Sequence, residues 1–462
     1  MHRRKFIAAL PLVLAGCKFT MRKRRFLLPV STTGPITPAV YTPGHYISMG
    51  KNTDDQSDMA AYTGWTNVRG FTKFVEWINM ETSQGVYDFS ALLSDLDWAY
   101  ANGMRMIFIM ADKTFSNAAA PSIEHILPSY LQSYEMRNNG GTSSIPDTPA
   151  YGGFTAKRWD PNVYNAAIAL FDAMANSSGG SLAAKFKNHP ALEGVGTQET
   201  SLSMPATPAQ ADPGYDDLQT EGYTPEAYRD SYLTLLPAAQ ASFDTRHIFW
   251  HMNFLTQHQS YLQDIANAVA PLGVYMGSPD TFPEANNYKT LVYPIYTSMY
   301  GKMKMFERIS VPEYSYLKWP DAPITAIARA PGAQTTISTV SVSHPYAVGH
   351  TVTYTGCTGM TQINGQNAVV QTISGSSGAW KFTTTIDSSS YGTYTGSGVS
   401  NRYWTMQEVC SFILNTDNYH DVTLFIPSPK CNYVWWMQGG GVYNLNNEGR
   451  AVIADPANQP PP

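Results

Sequence analysis

Leu192-Glu193-Gly194-Val195-Gly196-Thr197-Gln198-Glu199 is a short apolar run, relieved by glycines, that ends in a carboxylate. A second run, Ile309-Ser310-Val311-Pro312-Glu313, ends the same way. Both have the length and closure of strands buried on two faces. Outward from them, strand and helix patterns alternate. Tyr46-Ile47-Ser48-Met49 opens the series, and 71–77 reads as a second strand. The stretch 92–99 is helical and stops at Asn102-Gly103, and Arg105-Met106-Ile107-Phe108-Ile109-Met110 is a third, wholly apolar-flanked strand. An amphipathic helix at 164–174 precedes the Glu199 strand, and Thr224-Pro225 opens the next helix with an N-cap and a first-turn proline. Residues 247–252 and 273–277 give a fifth and a sixth strand, 291–305 a sixth helix, and 309–313 the seventh strand. A last helix at 406–414 and an eighth strand at 432–437 complete the set.

Such alternation predicts an α/β fold, a (β/α)8 or TIM barrel occupying 45–322 and 403–452. The pattern breaks between 323 and 402, where Thr, Ser, Gly and Val dominate and short alternating strands such as Thr351-Val352-Thr353-Tyr354 replace helices. That predicts an all-β domain inserted between strand 7 and helix 7, where chain ends meet at low entropic cost. A long loop at 115–158, rich in Ser, Asn, Gly and Pro, is expected over the barrel mouth.

The 462 residues carry few charges (14%) and many aromatics (13%), with 29 Tyr and 10 Trp, which excludes a disordered chain. Eight Lys or Arg fall within the first 25 residues, and without them the net charge drops from -5 to -13. Such a body repels nucleic acid. The start reads as an export signal: a basic Met1-His2-Arg3-Arg4-Lys5, a short apolar stretch, then Leu14-Ala15-Gly16-Cys17, which resembles the bacterial lipoprotein cleavage box. Residues 1–17 are then a signal peptide with Cys17 the lipidated residue, and 18–44 a tether, placing the protein at the cell envelope or outside the cell with membrane contact only through that anchor. A start at Met21, giving a cytoplasmic product, is the alternative. The apolar run is too short to span a membrane. Cys357, Cys410 and Cys431 lack metal-site spacing, and whether Cys410 and Cys431 pair is open.

Strand ends converge on one face of such a barrel, where catalysis occurs. Glu199 and Glu313 are 114 residues apart, while three βα units take roughly 95 residues before added loops. They therefore fall on the fourth and seventh strands, as a pair of carboxyls suited to glycosidic bond cleavage. Gln198, His251, Asn253 and Asp280 lie at neighbouring strand ends as candidate substrate contacts, with a packed core as the competing role for His251. Trp77, Trp435 and Trp436 are candidates for stacking on sugar rings. Glu193 sits at the wrong strand end, and Glu81 in a loop suits bracing.

Trp77-Ile78-Asn79-Met80-Glu81 followed by Gly85-Val86-Tyr87-Asp88-Phe89, together with Asn188-His189-Pro190-Ala191-Leu192, resembles passages of the retaining (β/α)8 glycoside hydrolases of clan A. The resemblance implies Glu199 as acid/base, Glu313 as nucleophile and Trp435 or Trp436 as sugar platform, acting on a β-linked polysaccharide or oligosaccharide without metal or organic cofactor. This chain has Gln198 where the clan usually has Asn before the acid/base. In that chemistry Glu313 stays ionised, and its charge helps Glu199 keep a proton near neutral pH. A noncatalytic glycan-binding or adhesion protein is the alternative; an esterase lacks a G-x-S-x-G elbow. Gly349-His350-Thr351-Val352 and 356–365 resemble small β modules of phage tail proteins. Sugar, linkage and oligomeric state stay open.

Overall fold

The computed structural model describes residues 41–51, 56–114, 125–138, 153–202, 221–244, 246–253, 258–279, 288–309, 321–332, 335–339, 346–376, 378–402, 405–414, 430–437 and 448–461, with Leu255, Thr281 and Leu445 as single positions. The expected signal peptide with Cys17, most of the tether, Asp280 and Glu313 lie outside the described residues.

Eight parallel strands close a barrel. In chain order they are Gly44–Lys51, Val68–Glu76, Arg105–Ala111, Leu192–Thr197, His247–His251, Tyr275–Ser278, Met305–Ile309 and Tyr433–Met437. Each pairs with its neighbour in sequence around the ring, and the last closes on the first through Gly44 to Tyr433 up to Ser48 to Met437. The third and fourth strands are buried at every position, as strands covered on both faces must be.

The interior is filled by rings. Phe306 stacks on Trp435 at 4.3 Å, and Phe249 and His251 lie 5.5 and 5.1 Å from the same indole. Glycines make room for them. A Cβ on Gly277 would come within 2.2 Å of the Phe306 ring, and one on Gly194 within 2.7 Å of Phe249. At the N-terminal end of the strands, Glu193 accepts from Tyr433 Oη (2.6 Å) and Thr42 N (2.9 Å), a buried brace far from the mouth.

Helix Pro161–Asn176 starts on Asp160, whose carboxylate accepts from Asn162 N, and helix Pro225–Phe243 starts on Thr224, whose hydroxyl accepts from Ala227 N. Two expectations shift in the sixth and seventh units. The helix of the sixth unit is a π-helical turn at Tyr288–Val292 followed by Tyr293–Met299, and it does not reach 305. Gly301, at φ 74°, ends it in a conformation that suits glycine. The seventh strand is then Met305–Ile309, not 309–313, so Glu313 follows the strand by four residues. Glu307 and Arg308 break the apolar run and hide the strand from a hydropathy reading. Within 115–158, the described residues form a 3-10 helix, Ser129–Tyr134, and a hairpin of Glu135–Asn138 with Gly153–Ala156.

Six further strands, Ala322–Ala328, Thr335–Thr339, Thr351–Thr355, Asn367–Ser376, Ala379–Thr384 and Val399–Asn401, close a second, antiparallel barrel. In sequence they fall between Ile309 and the helix Met406–Leu414. Their core, around Ile337, Val352, Tyr354, Ile363 and Phe382, is a cluster separate from that of the large barrel. Ala322 registers with Ser400, so the unit begins and ends side by side. Cys357, Cys410 and Cys431 are buried free thiols.

Candidate active site

The C-terminal ends of the third, fourth, fifth and seventh strands bring together Asp112, Lys113, Gln198, Glu199, His251, Asn253 and Arg308. Gln198 stitches two strands: its Oε1 accepts from the backbone amides of Asp112 (3.1 Å) and Lys113 (3.0 Å). That carbonyl is a structural clamp. Glu199, one residue on, keeps a side chain 12% exposed. Its Oε1 meets Lys113 Nζ at 3.2 Å and its Oε2 accepts from Asn253 Nδ2 at 2.6 Å. Asn253 is fixed in turn, since its amide donates to Thr200 Oγ1 and its carbonyl accepts from that hydroxyl. Behind the carboxylate, Arg158 grips Asp112 through Nε (2.7 Å) and Nη2 (2.5 Å) and donates through Nη1 to the Glu199 carbonyl. The glutamate is thus positioned by backbone and side-chain contacts before anything binds.

Its electrostatics differ from the expectation. Burial pushes the Glu199 carboxyl up, but the Lys113 charge, the Asn253 amide and Arg308 outweigh it and hold it below its ordinary value of 4.5. In this structure Glu199 is a carboxylate at neutral pH, not a stored proton. Lys113, only 1% exposed, also donates to the Ser201 carbonyl at 3.0 Å; burial lowers its proton affinity and Glu199 partly restores it.

His251 is fully buried against Phe306 (4.9 Å), Trp435 (5.1 Å) and Phe74 (5.8 Å). Its Nδ1 lies 2.7 Å from the Thr197 carbonyl. Burial, with Arg308 nearby, drops its value to about 3, so the ring is neutral. The proton therefore sits on Nδ1, assigned from that bond, and Nε2 is a bare acceptor. Neither His251 Nε2 nor the Trp435 indole N–H finds a partner among the described residues.

The remaining candidates are placed elsewhere. Trp77 is buried and donates to Glu81 Oε2 at 2.8 Å. Trp435 and Trp436 are both fully buried, Trp436 donating to His45 Nδ1 at 3.0 Å, and neither shows a ring face to solvent. Sequence reasoning missed Lys113, Arg158 and Arg308. The Asp112-Lys113 pair directly after an apolar strand is the one local signal that pointed to a polar mouth. Arg308, which donates to the Pro279 carbonyl and lies over the Phe74 ring, was hidden with its strand.

No family model matches the sequence, and no curated protein matches it. Among solved structures, the chain is similar to endo-glycoceramidase II from Rhodococcus sp. in its cellobiose-like imidazole complex, at 10% identity and a TM-score of 0.34, over 79% of this chain and 97% of that one. The ganglioside GM3 complex of the same protein aligns at 9% identity and a TM-score of 0.31, over 80% and 100%. A beta-galactosidase from the psychrophilic Marinomonas ef1 aligns at 9% identity and a TM-score of 0.34, over 61% and 49%.

Proposed function

We propose that the protein is a glycoside hydrolase acting on a polysaccharide or oligosaccharide. The observation that carries this reading is Glu199, a pre-positioned carboxylate at the end of the fourth strand in the mouth of a closed parallel barrel. One feature of the sequence supports it: a second carboxyl, Glu313, lies four residues past the end of the seventh strand.

In this reading Glu313 attacks the anomeric carbon while Glu199 protonates the leaving oxygen and later activates water, the two carboxyls standing roughly 5–5.5 Å apart. An anionic Glu313 at that distance opposes Lys113 and Arg308 and raises Glu199 toward the protonated form. We read residues 323–402 as an insertion between the seventh strand and its helix, akin to phage tail modules, and the first 17 residues as a lipoprotein-type signal placing the enzyme at the cell envelope.

The test is Glu313→Ala and wild type on a panel of plant, algal and bacterial polysaccharides, with products followed by NMR. Turnover with retained anomeric configuration, lost in the variant, supports double displacement. Unchanged activity in Glu313→Ala overturns it.

A second reading has its own support. Because Lys113 and Arg308 hold Glu199 ionised, the described mouth lacks a ready acid. A noncatalytic glycan-binding protein accounts for that, and glycan binding without turnover, equal in wild type and Glu199→Gln, selects it.

A further inference from the structure

A groove of about 510 Å³ opens at the rim of the barrel, within the range of about 300–1,000 Å³ typical of small-molecule sites. Three pieces build it, and all belong to connections above the strand ends on the Glu199 face. They are the hairpin Glu81–Ser83 with Val86–Tyr87 after the second strand, the 3-10 helix Ser129–Tyr134 after the third, and the first turns of Pro161–Asn176. Its chemistry comes from Tyr87, Tyr130, Tyr134, Gln84, Asn162 and Asn165.

The wall is organised by one buried carboxylate. Glu81, fully buried, accepts from the Trp77 indole on Oε2 (2.8 Å) and from Gly85 N (2.9 Å) and Tyr130 Oη (2.8 Å) on Oε1. Tyr87 lies parallel to the Phe89 ring at 5.9 Å. Trp77, Glu81, Gly85, Tyr87 and Phe89 are the conspicuous residues of one sequence passage, and together they hold this surface rigid. Such rigidity lowers the ordering cost of binding.

We propose that the groove binds a segment of neutral oligosaccharide. Tyrosine rings offer flat faces to the C–H edges of a sugar, and the amides of Gln84, Asn162 and Asn165 offer paired donors and acceptors to its hydroxyls. Among the described residues no lysine or arginine lines it, and the Glu81 charge beneath disfavours phosphate, sulfate or uronate. The link to the mouth, as a rim subsite for a long chain, rests on the hydrolase reading; binding in the groove does not.

The experiment is calorimetry of the full chain with neutral gluco-, xylo-, manno- and galacto-oligosaccharides of increasing length, on wild type, Tyr134→Ala, Tyr134→Phe and Asn165→Ala. Tyr130 is left intact because it braces Glu81. One series binds wild type, Tyr134→Ala weakens its longer members about tenfold, Asn165→Ala weakens them less, and Tyr134→Phe retains binding. Thermal melts confirm that the variants fold. Absence of binding by every series, or binding indifferent to Tyr134→Ala and Asn165→Ala, overturns the proposal. Groove binding without turnover removes the hydrolase reading and keeps the groove, whereas turnover of long chains with KM unchanged in Tyr134→Ala does the reverse.

Discussion

Between residues 322 and 401 the strands bury one face and expose the other, whereas the central strands of the larger barrel are buried on both. The burial alternation along Thr351–Thr355 leaves its threonines partly or fully to water, and among the described residues 322–401 no Asp, Glu, Lys, Arg or His is buried. In the parallel barrel, polar side chains at the strand ends have nowhere to go but inward or into the loops. They must be paired, because an unpaired buried charge costs several kcal/mol. Asp112 with Arg158 and Glu199 with Lys113 are that pairing. The comparison teaches that the same closure, made with helices outside rather than water, concentrates chemistry at one mouth.

The largest expected effect follows from that concentration. Under the proposed function, Glu199→Gln removes the titrating group and leaves one acceptor oxygen for two donors, Lys113 and Asn253, so kcat/KM on a hydrolysed glycan is expected to fall by about 10²–10⁴-fold, with circular dichroism as the check on the fold. Activity within twofold of wild type would place the chemistry outside the mouth and break the contrast between the two barrels.

The next effect concerns stability. Arg158→Met leaves Asp112 buried without its partner and costs about 3–5 kcal/mol in denaturant unfolding. The matching change in the small barrel, Lys381→Met at an exposed strand position, stays within about 0.5 kcal/mol. Equal effects at the two sites would mean that the barrels do not differ in how they house charge.

A smaller, pH-dependent effect belongs to Lys113→Met. In the wild type Glu199 lies below its ordinary value of 4.5, so its ionised form stabilises the fold above that pH. The contribution disappears as pH falls through the lower, folded value. Without Lys113 the carboxyl rises, and the variant loses stability at neutral pH while differing less from wild type in acid. Tm followed from pH 3 to 7 reads this directly, and parallel curves for the two proteins would show that Lys113 does not set the charge on Glu199.

Most of the large barrel was legible because two-face burial writes short apolar runs, and Thr224-Pro225 and Asn102-Gly103 punctuate the helices between them. The seventh strand was misplaced by a few residues because Glu307 and Arg308 sit inside it and Gly301 ended the preceding helix early. At the site, Glu199 and Asn253 were visible as polar residues at strand ends, and the structure joins them at 2.6 Å. Lys113, Arg158 and Arg308 were not, because their meaning lies in neighbours far along the chain. The tryptophans misled for a related reason: an indole that fills a barrel and one that stacks on sugar are the same letter, and only burial separates them.

The smallest expected effect is the sharpest probe of the comparison. If the six-stranded unit is self-contained, removing it should leave the rest untouched. Its first and last strands are register partners, Ala322 with Ser400, so the cut ends lie about 5 Å apart. Joining Asp321 to Arg402 through a Gly-Ser linker therefore bridges no gap. The two cores share no residue, and Arg402 keeps its own paired bonds to Glu408, both 2.7 Å, beyond the cut. The shortened chain is expected to unfold within about 0.5 kcal/mol of the full-length barrel transition and, under the proposed function, to keep any hydrolysis of small substrates that the full chain shows. A collapse of the barrel on excision would show that the two closures, so different in how they bury their strands, nonetheless depend on one another.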